Sequence, residues 1–205
     1  MKFFKDIYNW VLSLSRKKNS NYSISVLSFS ESIFFPIPPD VLLIPLCLGN
    51  RHKSFYFAFL CTISSIIGGI IGYYIGKVLW WNDPGIEYSS FANFFFKYIP
   101  GLTTESFNNI KRLYDDWNFW IIFTAGFTPI PFKLITISSG TFNINFFMFI
   151  FASIIGRGTR FFLLASLIWI FGEKIRLFIE KYFNLLALVF TILLVGGFVI
   201  IKLIV

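Results

Sequence analysis

Polar positions divide this chain of 205 residues into apolar blocks of unequal length. Residues 54–81 and 146–171 are nearly continuous apolar runs, long enough as helices to cross a hydrocarbon core of about 30 Å. Residues 182–205 form a third such run, with only Lys202 near its end. Two further apolar stretches, 22–48 and 119–141, are interrupted by prolines: Pro36, Pro38 and Pro39 in the first, Pro129 and Pro131 in the second. Each proline removes a backbone donor and turns the residue before it away from helix. The arms on either side of the first break hold about a dozen residues, or roughly 18 Å at the helical rise, too short to span a bilayer. Irregular backbone at membrane depth is tolerated only against protein or a cavity. Both stretches therefore read as re-entrant hairpins, the first returning to the surface at Gly49-Asn50.

The polar regions complete the pattern. Residues 1–18 place Phe3, Phe4, Ile7, Trp10, Val11 and Leu14 at helical spacing and close with Arg16-Lys17-Lys18, as an interfacial helix would. Residues 82–118 carry turns at Asp83-Pro84-Gly85 and Pro100-Gly101 and two amphipathic stretches, read as interfacial helices. In the second, Phe107, Ile110, Tyr114 and Trp117 fall on one stripe. Trp80 and Trp81 mark a membrane interface. The predicted fold is all-α and integral to the membrane, one domain over 1–205. It comprises an interfacial helix (1–18), a hairpin plus transmembrane helix (22–81), interfacial helices (82–118), a second such unit (119–172) and a final transmembrane helix (182–205).

The two units are related. Pro-Ile-Pro occurs at 36–38 and 129–131, each followed after one more residue by a charge, Asp40 and Lys133 respectively. Residues 59–68 and 147–156 align without gaps, both ending Ser-Ile-Ile-Gly, and aromatic pairs follow at the same offset (Tyr73-Tyr74, Phe161-Phe162). One transmembrane crossing between two hairpins makes the units inverted, as in many transporters. Where the second unit has Arg157 and Arg160, the first has Gly69 and Gly72. Gly68, Gly72 and Gly76 line one face of the first long helix, a seam for close backbone approach. The basic residues of 1–18, 51–53 and 174–181 then share one side, which the positive-inside rule assigns to the cytoplasm together with the N-terminus.

Composition agrees with a membrane protein: 56% of residues are hydrophobic, 14% are charged, and mean hydropathy is +0.72. The net charge of +8 sits beside apolar segments, which favours a membrane surface over nucleic acid as partner. Cys47 and Cys61 are too few for a disulfide framework and read as buried thiols. His52, the single histidine, lies in a polar loop, which weighs against histidine-dependent intramembrane enzymes. There is no phosphate-binding glycine loop and no His/Cys metal cluster, so neither an enzyme activity nor a cofactor is expected. No cleavable signal peptide is read at the N-terminus.

The candidate chemistry lies in the intramembrane charges. Arg157 falls about 16 Å into its helix, near the bilayer middle, and Arg160 shares its face. Each costs at least about 2.5–3.5 kcal/mol there without a cavity or partner. Guanidinium pairs with phosphate bidentately, so Arg157, Arg160 and Lys133 are the candidate phosphate-binding residues. Static ion pairing of the arginines with Glu31 or Asp40 is the alternative, as is a snorkelling Lys133. Burial favours a protonated carboxyl group and a nearby guanidinium opposes it, so Glu31 and Asp40 are the candidates for proton coupling.

Glu31-Ser-Ile-Phe-Phe-Pro-Ile-Pro-Pro-Asp40, Phe127-Thr-Pro-Ile-Pro-Phe-Lys133 with Gly140, and Gly156-Arg157-Gly-Thr-Arg160-Phe-Phe resemble the DedA family, also called the SNARE-associated or VTT-domain superfamily, most closely its YqaA-like branch. The resemblance implies two facing re-entrant hairpins, a bacterial inner-membrane location and proton-motive-force-dependent lipid handling. Polyprenyl-phosphate carriers or phospholipids are flipped by characterised relatives, and eukaryotic relatives include scramblases. The main branch carries arginines flanking its second-hairpin proline; here those positions are Gly126 and Phe132, with Lys133 adjacent. The leading expectation is a transporter or flippase of an anionic lipid or lipid-phosphate carrier, with protons as candidate coupling ion. The alternative is a non-transporting, membrane-organising or assembly protein using the glycine seam. A homo-oligomer is left open.

Overall fold

The computed structural model describes residues 19–84, 86–99, 103–128 and 130–172, together with Trp10, Ser13 and Leu14. Most of the expected interfacial helix at 1–18, the break residue Pro129 and the final helix at 182–205 lie outside the described residues. What is described is mostly helical: seven α-helices, one 3₁₀ turn and one two-stranded ribbon.

Helix α1 (Ser20–Glu31) ends five residues before Pro36, and α2 (Asp40–Gly49) begins directly after Pro39. Proline's fixed φ suits a helix start, and the Asp40 carboxylate in the first turn complements the helix dipole. The beginning of α1 and the end of α2 line one cavity with Lys53 and Phe57, so the two arms return to the same end of the molecule. A 3₁₀ turn (Arg51–Lys53) leads into α3 (Ser54–Trp80). Strands β1 (Trp81–Asp83) and β2 (Glu87–Tyr88) form an antiparallel ribbon, followed by α4 (Ser90–Tyr98), which Ser89 caps at the Ala92 N–H. Helix α5 (Thr104–Phe127) opens on a Thr103–Ser106 capping box and kinks at Trp117. After the second proline break come α6 (Phe132–Thr141) and α7 (Phe146–Phe171), the latter capped by Asn145 and ended by Gly172 at φ +55°. Paired with ψ −130°, that angle is one that only a residue without a Cβ takes without strain.

Arg51–Trp80 and Phe146–Phe171 are long and apolar enough to cross a membrane. On α3, Phe55, Phe59, Ile63, Ile67 and Ile71 form an exposed i, i+4 row, and Phe147, Phe151 and Ile154 lie exposed on α7. Helices of a water-soluble protein turn such rows inward.

The interior is built around α3, which packs on α1, α6 and α7, while α7 also receives α5 and α2. Each unit's first arm thus lies on its own long helix, and its second arm lies on the long helix of the other unit. Glycine makes this interlock possible. A Cβ on Gly68 would run into the Phe29 carbonyl of α1, one on Gly76 into the Ile137 carbonyl, and one on Gly140 into the Tyr73 carbonyl. The repeat is visible in these contacts: Gly68 meets Phe29 of the first arm, and its counterpart Gly156 meets Phe123 of the second unit's first arm. The seam expected at 68–76 is therefore filled by α1 and α6 of this same chain, which removes it as a docking face for a partner.

The outer segment departs from expectation in three ways. The ribbon β1–β2, which was not expected, opens it. The expected stripe is split: Phe107 and Tyr114 are buried against Phe142, whereas Ile110 and Trp117 are exposed. Contact with the loop after α6 reaches only positions seven apart, and the kink at Trp117 turns that ring away. Trp80 and Trp81 are not open interface anchors either. Both are buried, Trp80 stacked on Phe107 and Trp81 on Tyr88, because the ribbon, α4 and α5 fold over them.

Candidate functional site

The two proline breaks face each other, and the charges predicted near membrane depth meet between them. Glu31, Pro36 and Pro38 of the first unit and Ile130, Pro131, Lys133, Arg157 and Arg160 of the second surround a cavity of about 80 Å³. Glu31 stands at the last turn of α1 and Asp40 at the first turn of α2, placed there by the break between them. Arg157 and Arg160 project together from α7. Their nearest equivalents in the first unit, Gly69 and Gly72, instead admit Phe132 and Thr136 of α6.

Arg157 is 2% exposed and Glu31 5%. Arg157 Nη2 donates to Glu31 Oε2 at 2.5 Å, and its Nε donates to Ser65 Oγ at 2.7 Å. Its guanidinium carbon lies 4.8 Å from the Phe132 ring centre and 4.7 Å from that of Phe161. The cation is held by a carboxylate, a hydroxyl and two aromatic rings, so its desolvation is compensated in several directions. The hydroxyls behind it have a forced polarity. Arginine can only donate, so Ser65 accepts from it and has one proton left for Ser32, whose own proton then goes to the Ser28 carbonyl. This chain ties α7 through α3 to α1. The second pair, Arg160 with Asp40, is also hydrogen-bonded but less enclosed, with both side chains 13% exposed.

Lys133 does not snorkel. Its ammonium donates to the carbonyls of Phe35 at 3.0 Å and Phe34 at 3.3 Å. The reason is in the primary sequence. In a continuing helix those carbonyls would accept from the N–H groups of residues 38 and 39, both prolines. The Ser32 carbonyl would likewise need the N–H of residue 36, again proline, and receives the Thr136 hydroxyl at 3.0 Å instead. In the second break, Pro131 deprives the Phe127 carbonyl, which accepts from Arg160 Nη1 at 3.2 Å. Each of these four orphaned carbonyls is thus satisfied by a side chain of the second unit. The breaks create acceptors, and α6 and α7 supply the donors.

Among the described residues no group of three or more His, Cys, Asp or Glu is placed to hold a metal. Cys47 and Cys61 are buried and unpaired with each other, and His52 is exposed. Glu105, Asp115 and Asp116 lie on the exposed face of α5. Of the expected break residues, Pro39 and Pro131 directly precede the returning helices, while Pro36 and Pro38 line the cavity mouth.

No protein-family model matches the chain. It is 32% identical over 203 residues to an uncharacterized protein of Haemophilus influenzae, covering 98% of this chain and 100% of that one. The chain belongs to that protein's family. An uncharacterized Histophilus somni protein, named the HI0703 homolog, is 30% identical over 175 residues, covering 85% of each chain. An uncharacterized protein of Methanocaldococcus jannaschii, MJ0201, is 26% identical over 145 residues, 68% of this chain and 78% of its own. No solved structure matches. The bacterial relatives' length agrees with a family built on the whole chain, not on one of its two units.

Several participants were missed from sequence alone: Ser32, Ser65, Thr136, and the rings of Phe132 and Phe161. Ser65 belongs to the repeated Ser-Ile-Ile-Gly, and Phe161 to the repeated aromatic pair, so the repeat itself was the available signal. The others carried none, because serine, threonine and phenylalanine abound elsewhere in the chain.

Proposed function

We propose that the protein is a multi-pass inner-membrane transporter or flippase for an anionic lipid or lipid-phosphate carrier, with its proline breaks at the tips of two inverted re-entrant hairpins. In this reading it is a DedA-type (VTT-domain) protein with a cytoplasmic N-terminus and no enzymatic activity. The observation that carries the reading is the convergence of three bases and Glu31, from both breaks and one long helix, on a single cavity inside an apolar molecule, with Asp40 paired to one of those bases. Intramembrane charges of this kind usually mark a substrate or ion path.

The described state is closed. At about 80 Å³ the cavity is too small for a lipid headgroup, and every base is engaged by a partner. Admission of a phosphate requires the hairpin tips to part, which exchanges carboxylate and carbonyl partners of Arg160 and Lys133 for phosphate oxygens. Asp40, and then Glu31, would lose their counter-ions and become the sites for proton uptake. Arg157, locked by four partners, is the least free to move, so Arg160 and Lys133 make first contact. The filled glycine seam weighs against the alternative of an assembly protein that docks partners there.

The test is reconstitution in liposomes with fluorescent phospholipids and labelled polyprenyl phosphate, with and without an imposed proton gradient. Flipping that depends on Arg160 and Asp40 is expected. Absence of flipping of every such lipid by correctly folded protein, with or without the gradient, would overturn the proposal.

A further inference from the structure

A second, larger cavity lies away from the charge cluster. It measures about 260 Å³ and is bounded by Ser20 and Asn21 at the start of α1, Pro45, Leu46 and Gly49 at the end of α2, then Asn50, Lys53 and Phe57. The Ser20, Asn21, Asn50 and Lys53 side chains have no hydrogen-bond or ion-pair partner among the described residues. Four polar groups without a protein partner converge on this one concavity, where they are open to a ligand.

The cavity's position is informative. It sits at the outer end of the membrane-length stretch Arg51–Trp80, the level at which headgroups would lie. Leu46 and Phe57 line it together with one ammonium, two amides and a hydroxyl. Among the described residues no carboxylate lines it, and Lys53 gives their local field a positive sign. Neighbouring Arg51 is not available to it, because its guanidinium lies against Gly172 at the C-terminal end of α7, where the helix dipole favours a cation. Among the described residues, Lys53 is left as the cation of the cavity.

We propose that this cavity binds a phosphate group, either that of an anionic phospholipid headgroup or a free phosphate. Lys53 supplies the counter-charge, Asn21, Asn50 and Ser20 supply directed hydrogen bonds, and Leu46 and Phe57 receive the glycerol end of a lipid. The site is independent of transport: it stands on a different cavity, and its occupancy is measured without any flipping assay.

The experiment is a thermal-shift titration of the full-length protein in neutral detergent. The probes are dioctanoyl-phosphatidylglycerol, inorganic phosphate, and dioctanoylglycerol as the phosphate-free control. Ligands that bind the folded state raise its melting temperature in a saturable way. A saturable rise with phosphatidylglycerol is expected, with affinity at least tenfold weaker in Lys53→Gln and in the Asn21→Leu/Asn50→Leu double variant. Lys53→Arg should retain binding. The same Lys53-dependent rise with inorganic phosphate would identify free phosphate as a ligand, and a response to the lipid alone would identify the headgroup. Lys53 and Asn50 are exposed, so these variants should melt like wild type without ligand. Three results would overturn the proposal: an equal response to dioctanoylglycerol, affinity indifferent to Lys53 and both asparagines, or affinity lost only in Lys133→Gln, which would assign binding to the central cavity.

Discussion

Removing the Glu31 charge without changing its shape tests the central argument most directly. In Glu31→Gln the Arg157 guanidinium stays buried beside Ser65, Phe132 and Phe161 but loses its counter-ion. Two unit charges about 4 Å apart interact by about 4 kcal/mol at an effective dielectric of 20. Breaking a buried pair by deleting one partner costs about 3–5 kcal/mol in comparable cases. With both side chains of Arg157 and Glu31 almost fully enclosed, little solvent screening reduces that figure. Arg157→Met should cost a similar amount, since it strands the carboxylate. The double variant Glu31→Gln/Arg157→Met leaves no buried charge, and methionine sulfur packs well against the two rings. It should recover most of the loss, giving a coupling energy of about 3 kcal/mol or more between the sites. The same cycle at Asp40 and Arg160 should yield a smaller coupling, because water reaches that pair. The assay is unfolding in mixed SDS–detergent micelles, followed by the fluorescence of the chain's six tryptophans. A Glu31→Gln variant within about 1 kcal/mol of wild type, or a double variant as unstable as the sum of its parts, would refute the account of a charge pair that holds the breaks together.

Three further outcomes follow from the geometry. Lys133→Met leaves the Phe34 and Phe35 carbonyls without a donor. A loss of about 1–3 kcal/mol is expected, with faster amide exchange confined to 30–40, whereas Lys133→Arg should keep most of the stability. Gly76→Ala and Gly140→Ala force α3 and α6 apart at backbone carbonyls and should cost several-fold in folded yield and at least about 2 kcal/mol in micelle unfolding. Gly49→Ala, with open space around it, should match wild type within about 0.5 kcal/mol in the same measurement. Tyr73→Phe removes a buried hydroxyl that donates to the Ile144 carbonyl at 2.5 Å, and unfolding should show a loss of about 1–2 kcal/mol.

The apolar runs, the two proline breaks and the internal repeat were all legible in the sequence, because each depends on local chemistry. A proline lacks its N–H in any fold, and a largely apolar stretch of 26 residues is long enough to cross a membrane wherever it packs. That the bases and acids belong together also followed, since a charge in an apolar helix needs a partner. What sequence left open was which group satisfies which. Pairing Arg157 with Glu31 and Arg160 with Asp40 is decided by the packing of α1 and α7 on α3 and of α2 on α7, with Gly68 letting α1 approach α3. The role of Lys133 was equally hidden. Its charge was visible, but the three carbonyls orphaned at Ser32, Phe34 and Phe35 become an acceptor site only when α6 is laid against them. Trp80 and Trp81 teach the same lesson in reverse: their composition fits a membrane interface, and only the ribbon and α5 folding over them bury both rings.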